Sequence, residues 1–339
     1  MVNKVAYLTK PKVFEICEEE PPELSDDEVL VEIKHVGICG SDLLFYNDPT
    51  VGGELDTKLP IILGHECAGI VVKIGSNVQS IQVGDKVALE PGISCGKCSY
   101  CLEGRYNLCE KVNFMAAPPF KAGALKRYVS HPASFTYKLP DHMTTMEGAL
   151  IEPLAVGIHA SDRGMAAPGK SVLIMGAGCI GLMTLMACVA KGVTDITVTD
   201  LFDNRLEMAM KLGASKVING SREEITSSSR YDIIFETAGS SSTVAMTPNL
   251  IRRGGKLVMV GNVHTNVLYD FNTLNQKEAD IISVFRYANI YHQAIQLVAG
   301  GRIPVREVVS NIYPFNEVNQ AFDFAFNKKM ASLKVVLEF

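Results

Sequence analysis

One hexapeptide restricts the folds open to this chain more than any other feature. Gly176-Ala177-Gly178-Cys179-Ile180-Gly181 directly follows the continuous apolar run Val172–Met175 and opens the helix-length apolar segment Ile180–Lys191. Glycines at this spacing are common in isolation, but between a strand and a helix each has a mechanical duty. Gly176 permits the tight turn, Gly178 lets the backbone come close to a phosphate group, and Gly181 allows the helix to pack closely on the strand. The apolar run itself reads as a central parallel strand covered on both faces. The alternation continues with Ile196–Thr199 as strand, Arg205–Leu212 as helix, Ile233–Glu236 as strand, Thr243–Leu250 as helix and Leu257–Val260 as strand. That order predicts a doubly wound α/β sheet.

A helix starting at such a turn offers unpaired N–H groups and the positive end of its dipole to a pyrophosphate. Asp200 closes the next predicted strand about 20 residues on, where a carboxylate accepts hydrogen bonds from the ribose hydroxyls of NAD and repels the 2′-phosphate of NADP. A solvated strand-end acid is the plain alternative for Asp200, and Arg205 nearby would suit a 2′-phosphate. The segment is read as a Rossmann domain for NAD. Ser171–Ala190 carries no charge over 20 residues, about the length of a membrane span. The glycine turn inside it predicts a buried strand and a buried helix instead.

Before about Leu150 the pattern is that of short strands. Val29–Val36 alternates apolar and polar residues, and Gly69–Ile74 and Lys86–Leu89 are similar runs bounded by glycine and Gly-Asp signals. The last segment, Leu333–Phe339, alternates again and is expected to return to this first domain. Two domains are therefore predicted: residues 1–152 with 288–339, and an inserted nucleotide domain over residues 153–287. A formal charge of −5 without a basic cluster argues against nucleic acid or an anionic membrane as partner. Met1–Lys12 lacks the apolar core and small-residue cleavage site of a signal peptide, so a cytoplasmic protein is expected.

Nine cysteines without a secretion signal point to a reducing compartment, where thiols serve metals more often than disulfides. Cys17, Cys67, Cys179 and Cys188 read as small core residues. Cys95, Cys98, Cys101 and Cys109 are spaced C-x2-C-x2-C-x7-C, which can close a tetrahedral, structural zinc site with no open position. Lys97, Arg105 and Lys111 are offset there by Glu103 and Glu110, so the loop is no nucleic-acid-binding ribbon. A second set is dispersed: Cys39, the pair His65-Glu66, and Glu152. One cysteine, one histidine and one acid with a water suit a catalytic zinc. Each is ambiguous alone, since a lone Cys or His packs a core and a glutamate commonly faces solvent.

Together these segments resemble the zinc-containing medium-chain dehydrogenases, and within them the sorbitol (L-iditol) and xylitol dehydrogenase branch. The resemblance rests on Val36–Asp42, Leu63–Glu66, Val83–Gly92, Gly104–Cys109, Ala149–Ala160 and Val284–Asn289. The last two are specific to the polyol branch; the others mark the wider family. The resemblance implies a GroES-like catalytic domain beside the Rossmann domain, two zinc ions per chain, NAD, and a homo-oligomer, dimer or tetramer. It implies that Cys39, His65 and an acid bind the catalytic zinc. Glu66 is the implied ligand, with Glu152 as a fourth ligand or as the base beside the zinc water. Adjacent residues in an extended chain point opposite ways, so His65 and Glu66 can both reach the metal only if the chain turns there.

The same resemblance puts Ser41 in proton relay and Tyr46, Phe114, Glu152, Arg286 and Tyr287 on the substrate side, although Tyr46 and Phe114 read equally well as core aromatics. It puts Gly176, Gly178, Ile180, Gly181, Asp200, Arg205, Val260, Gly261, Asn262, Val284, Phe285 and Arg286 against NAD. Leu44 stands where many relatives have a relay histidine, and Pro49–Glu54 where they carry a Gly-Arg-Ile-Gly loop. The expected reaction is oxidation of a secondary alcohol, a polyol, to a ketone. Butanediol, threonine or a phosphorylated polyol are the alternative substrates, and a zinc-free NAD-binding regulatory protein is the alternative of a different class.

Overall fold

The computed structural model describes residues 1–50, 59–118, 122–225, 231–328 and 330–339. Residues 51–54 of the Pro49–Glu54 loop lie outside the described residues. The chain divides into two compact units, Met1–Glu152 with Tyr291–Phe339, and Pro153–Ile290.

In the first unit the alternating segment forms the strand Glu28–Gly37, with Val29, Val31 and Ile33 fully buried. It lies within a seven-stranded sheet ordered Val309–Pro314, Lys334–Glu338, Glu28–Gly37, Glu66–Ile74, Lys86–Leu89, Thr136–Lys138, and Tyr128–Pro132 also pairs with it. The C-terminal strand does return to this domain: Val336 pairs with Gly37. Gly37 in turn pairs with Glu66 on the other side, so three distant segments meet at one level of the sheet. A β-carbon on Gly37 would come within 2.1 Å of Glu66 Oε2. A glycine there leaves room for the Glu66 side chain as it stands.

The core of this unit gathers Val31, Ile33, Leu63, Leu125, Phe322 and Leu337. Cys17 departs from expectation. It sits in the hairpin strand Val13–Glu19 and is exposed, because that two-stranded ladder buries only Phe14 of the strand. Cys67 and Cys188 are buried as expected, whereas Cys179 is only partly covered.

The second unit is built on a six-stranded, all-parallel sheet ordered Lys216–Asn219, Asp195–Asp200, Ser171–Met175, Tyr231–Glu236, Ile251–Met259, Asp280–Ser283. The first strand in sequence is central, and the order reverses beside it. That is the switch point at which such sheets bind ligands. Helices Cys179–Ala190, Asp203–Lys211 and Ser241–Leu250 alternate with the strands as the sequence predicts. The uncharged stretch is a strand, Ser171–Met175, followed by a helix, Cys179–Ala190. Among the described residues no helix is long and apolar enough to cross a membrane.

Candidate metal centres and dinucleotide site

Cys39 follows the strand Glu28–Gly37 in extended conformation and caps the helix Gly40–Asn47. Its N–H donates to Asp42 Oδ2 at 3.0 Å, and the N–H of Gly64 donates to Asp42 Oδ1 at 3.1 Å. The buried Asp42 thus ties the Cys39 turn to the Gly64-His65 turn. Its Oδ1 is 3.5 Å from His65 Nδ1. Burial opposes charge on both groups, but the pairing outweighs it. Asp42, with Cys39 adding to it, raises His65 well above its usual range, and Asp42 is held below its own by His65 and the two N–H donors. A carboxylate behind an imidazole fixes the ring for metal binding.

The question of how His65 and Glu66 face one place has a local answer. Gly64 turns the chain at φ +88°, and the strand begins only at Glu66, so His65 is not yet in the extended alternation. Ligand atoms of Cys39, His65 and Glu66 lie within 4.8 Å of one another. A thiolate, an imidazole and a carboxylate form a donor set that fits zinc with one open position.

Glu66 is fully buried, and both its oxygens lie 2.7 Å from Lys334 Nζ, which also donates to Ile38 O at 3.1 Å. Among the described residues the group of converging ligand atoms comprises Cys39, His65 and Glu66, and Glu152, expected as a fourth ligand or as the base, is not one of that group. Glu152 is buried at the start of the helix Ile151–Arg163. Its charge is felt at Cys67, whose thiol burial pushes up to about 12, with Glu152 and Glu66 adding to the shift and His65 opposing it.

Ser41 is half-buried in the first turn of the helix after Cys39. The ring of Phe114 is 5.6 Å from that of His65. Tyr46 is placed differently from the substrate role expected of it. It is 2% exposed and packs on Phe14, Phe322 and Phe326 in the apolar core. Leu44 is exposed on the same helix.

The four other cysteines also converge, their sulfurs within 4.8 Å of one another. The N–H of Cys95 points to Cys109 Sγ at 3.4 Å, and the backbone N–H groups of Lys97 and Cys98 hold the Cys95 thiol down at about 6. Four thiols gathered this closely, one already biased toward thiolate, fit a closed tetrahedral zinc site.

In the second unit a cavity of about 660 Å³ is lined by Gly176, Gly178, Asp200, Arg205, Thr237 and Ser240, among others. Gly176 has φ +105°, and a β-carbon on Gly181 would fall 1.8 Å from Gly176 O. Among the described residues a β-carbon on Gly178 would meet nothing nearer than an Arg205 guanidinium nitrogen at 3.9 Å, which leaves the backbone there open to a phosphate. Ile180 lies in the first turn of the following helix. Asp200 is more engaged than its sequence position suggests. Oδ2 accepts the N–H of Ala177 at 2.8 Å, Oδ1 accepts those of Leu201 and Phe202, and Arg205 stands 3.8 Å away.

The N–H groups of Val260 and Gly261 donate to Glu236 O at 2.9 and 2.8 Å, and Asn262 follows exposed. Val284 N–H donates to Met259 O at 3.0 Å beyond the edge strand Asp280–Ser283. Phe285 is exposed, Arg286 lies 4.7 Å over its ring with φ +54°, and Tyr287 is buried.

Three residues escaped the sequence reading. Asp42 carries a signal, three positions past Cys39 as in a capping box. Glu236, fully buried, accepts from the N–H groups of Ala238 and Gly239 and from the Thr243 hydroxyl. Lys334 has no local signal, being 268 positions from Glu66.

Residues 25–141 match the alcohol dehydrogenase GroES-like domain family and residues 179–300 the zinc-binding dehydrogenase family. The chain is 47% identical to the uncharacterized zinc-type alcohol dehydrogenase-like protein YdjJ of Escherichia coli, over 100% of this chain and 99% of the relative. It is 40% identical to a sorbitol dehydrogenase of Bacillus subtilis, over 98% and 96%. A solved oxidoreductase/dehydrogenase of unknown specificity from Escherichia coli superimposes with a TM-score of 0.96 at 46% identity, covering 100% of this chain and 99% of that one. The chain belongs to the zinc-containing medium-chain alcohol dehydrogenases, in their sorbitol dehydrogenase branch, and is an oxidoreductase of zinc and a nicotinamide dinucleotide.

Proposed function

We propose that this protein oxidises one secondary hydroxyl of a linear polyol of the sorbitol or xylitol kind to the ketone, with hydride passing to NAD and a proton released. The observation that carries this reading is the acid-bearing character of the buried cluster, where Glu66 joins Cys39 and His65 and Glu152 is buried within electrostatic reach of the same strand. Carboxylates in the pocket suit a substrate with several hydroxyls better than a hydrocarbon alcohol. Bound zinc supplies the Lewis acidity that makes a hydroxyl acidic at neutral pH. Cys39, His65 and Glu66 hold that ion, and Cys95, Cys98, Cys101 and Cys109 hold a structural one.

Ser41 Oγ or the Glu152 carboxylate takes the hydroxyl proton. Phe114, against His65, bounds the carbon chain. Arg286 and Tyr287 orient the remaining hydroxyls, an assignment that rests on the family resemblance. Bound NAD supplies the hydride acceptor, its pyrophosphate at the Gly176–Gly181 turn and its ribose at Asp200. The parallel sheet ends in the strand Asp280–Ser283, with Ile281 and Phe285 exposed, which fits a homo-oligomer.

NAD reduction by the purified protein, followed over sorbitol, xylitol, ribitol, galactitol, 2,3-butanediol and threonine, tests the substrate class. The highest kcat/KM is expected on one of the four polyols. A preference for 2,3-butanediol or threonine of about 10-fold or more, a 1.4 kcal/mol difference in transition-state binding, would overturn the reading.

A further inference from the structure

The four-cysteine lobe is an excursion from a short antiparallel ladder. Gly92–Ile93 leads into it and Asn113–Phe114 leads out, with Gly92 opposite Phe114. Phe114 leans on both sides of this base. A β-carbon on Gly92 would lie 3.2 Å from its ring, and the ring is 5.6 Å from His65. The strand that holds the base of the lobe is therefore also a wall of the catalytic cluster.

Two residues before Gly92, Glu90 is 1% exposed. Its Oε1 accepts the hydroxyl of Tyr106 at 2.8 Å, and its Oε2 accepts that of Tyr137 at 2.8 Å. Tyr106 lies inside the lobe, in the 3-10 turn Tyr106–Leu108 just before Cys109. Tyr137 belongs to the sheet strand Thr136–Lys138 and packs 4.9 Å from Tyr291, whose hydroxyl donates to Leu89 O at 2.9 Å. The Glu90 backbone is held as well, its N–H donating to Phe135 O and its carbonyl 3.0 Å from His131 Nε2. Burial pushes the Glu90 carboxyl above its usual range, and the two phenols counter that shift. A buried carboxylate satisfied from two elements holds both in place, because moving either leaves it unpaired.

We propose that Glu90, through Tyr106, is a positioning residue for catalysis: it ties the four-cysteine lobe to the ladder that carries Phe114, so the lobe sets the pose of Phe114 beside His65 as well as stabilising the fold. This rests on the reading that Phe114 bounds the substrate.

The test is a double-mutant cycle on the zinc-loaded enzyme between Tyr106→Phe, which removes one hydroxyl and keeps the ring, and Phe114→Ala. The readouts are KM and kcat for the best polyol, melting temperature, and the rate at which a chromogenic chelator takes zinc. Tyr106→Phe is expected to bind both zinc ions, to release one of them several-fold faster, and to raise KM roughly 3- to 10-fold with kcat little changed, as the loss of one hydrogen bond to a charged group allows. In the Phe114→Ala background the same change should alter KM less than about 2-fold, since coupled residues are non-additive. Glu90→Gln, which keeps one acceptor oxygen, should show a smaller effect of the same kind.

Equal KM effects in both backgrounds would overturn the coupling while leaving Phe114 on the substrate side. Faster zinc release with unchanged KM would reduce Glu90 to a stabilising role and also overturn it. An unchanged KM in Phe114→Ala alone would defeat the assignment of Phe114 to the substrate, and this proposal with it.

Discussion

Replacing Lys334 with Met should destabilise the metal-free protein strongly and the zinc-loaded protein much less. Lys334 is 3% exposed and Glu66 0%, and the ammonium reaches both carboxylate oxygens at 2.7 Å. Methionine keeps the length and apolar stem of lysine but not the charge, so the buried Glu66 loses the ammonium that pairs with both its oxygens. Removing one partner of a buried pair costs about 3–5 kcal/mol. The donor to Ile38 O is lost as well, which adds in the same direction. For a unit of this size each kcal/mol moves the melting temperature by roughly 2–4 °C, so a drop of about 6–20 °C is expected after chelation.

Zinc at Cys39, His65 and Glu66 brings its own positive charge to the carboxylate, and zinc-loaded Lys334→Met should recover most of the loss. The double variant Glu66→Gln with Lys334→Met removes both charges and should melt well above the single variant without metal. Calorimetry of the chelated and loaded forms measures all of this. A chelated Lys334→Met that melts within about 2 °C of the parent, or a double variant no better than the single one, would refute the argument that the ion pair holds Glu66.

Glu152→Gln keeps size and hydrogen bonding but removes the proton acceptor. Zinc content should stay at the parent value while kcat falls about 100-fold, the lower range for general acid–base catalysis; loss of metal in that variant, with Glu66→Gln the milder change, would make Glu152 a ligand after all. Asp200→Ala should weaken NAD binding about 10-fold or more, in line with losing hydrogen bonds to a charged group. It should not create a good NADP enzyme, because Asp200 also holds the N–H groups of Ala177, Leu201 and Phe202. Fluorescence titration with NADH and NADPH measures both, and a variant that binds NADPH as tightly as the parent binds NADH would show that Asp200 does not hold the turn.

Local pattern determined much of this molecule. The glycine hexapeptide, with an apolar strand before it and an apolar helix after it, required a turn at Gly176 and a close approach at Gly181, and the structure has both. The C-x2-C-x2-C-x7-C spacing is short enough that the loop closes on itself, so the four sulfurs meet wherever the lobe is attached. Periodicity located the strand Glu28–Gly37 and the return of the C-terminal strand, since alternation marks a half-buried sheet position. It missed the short strand Lys216–Asn219 and the edge strand Asp280–Ser283, too brief to show a period.

What escaped the sequence depends on register between distant segments. Whether Glu66 or Glu152 joins Cys39 and His65 turns on where the chain leaves the turn at Gly64 and on which acid the neighbouring strands bring near. Tyr46 as a core ring and Cys17 as an exposed thiol follow from which faces of their elements find a covering layer. Lys334 acquires its meaning only because the last strand pairs beside Gly37, opposite Glu66. A buried charge is tolerated only where an opposite charge is delivered to it, and that delivery is an act of the folded sheet, written in no local stretch of the chain.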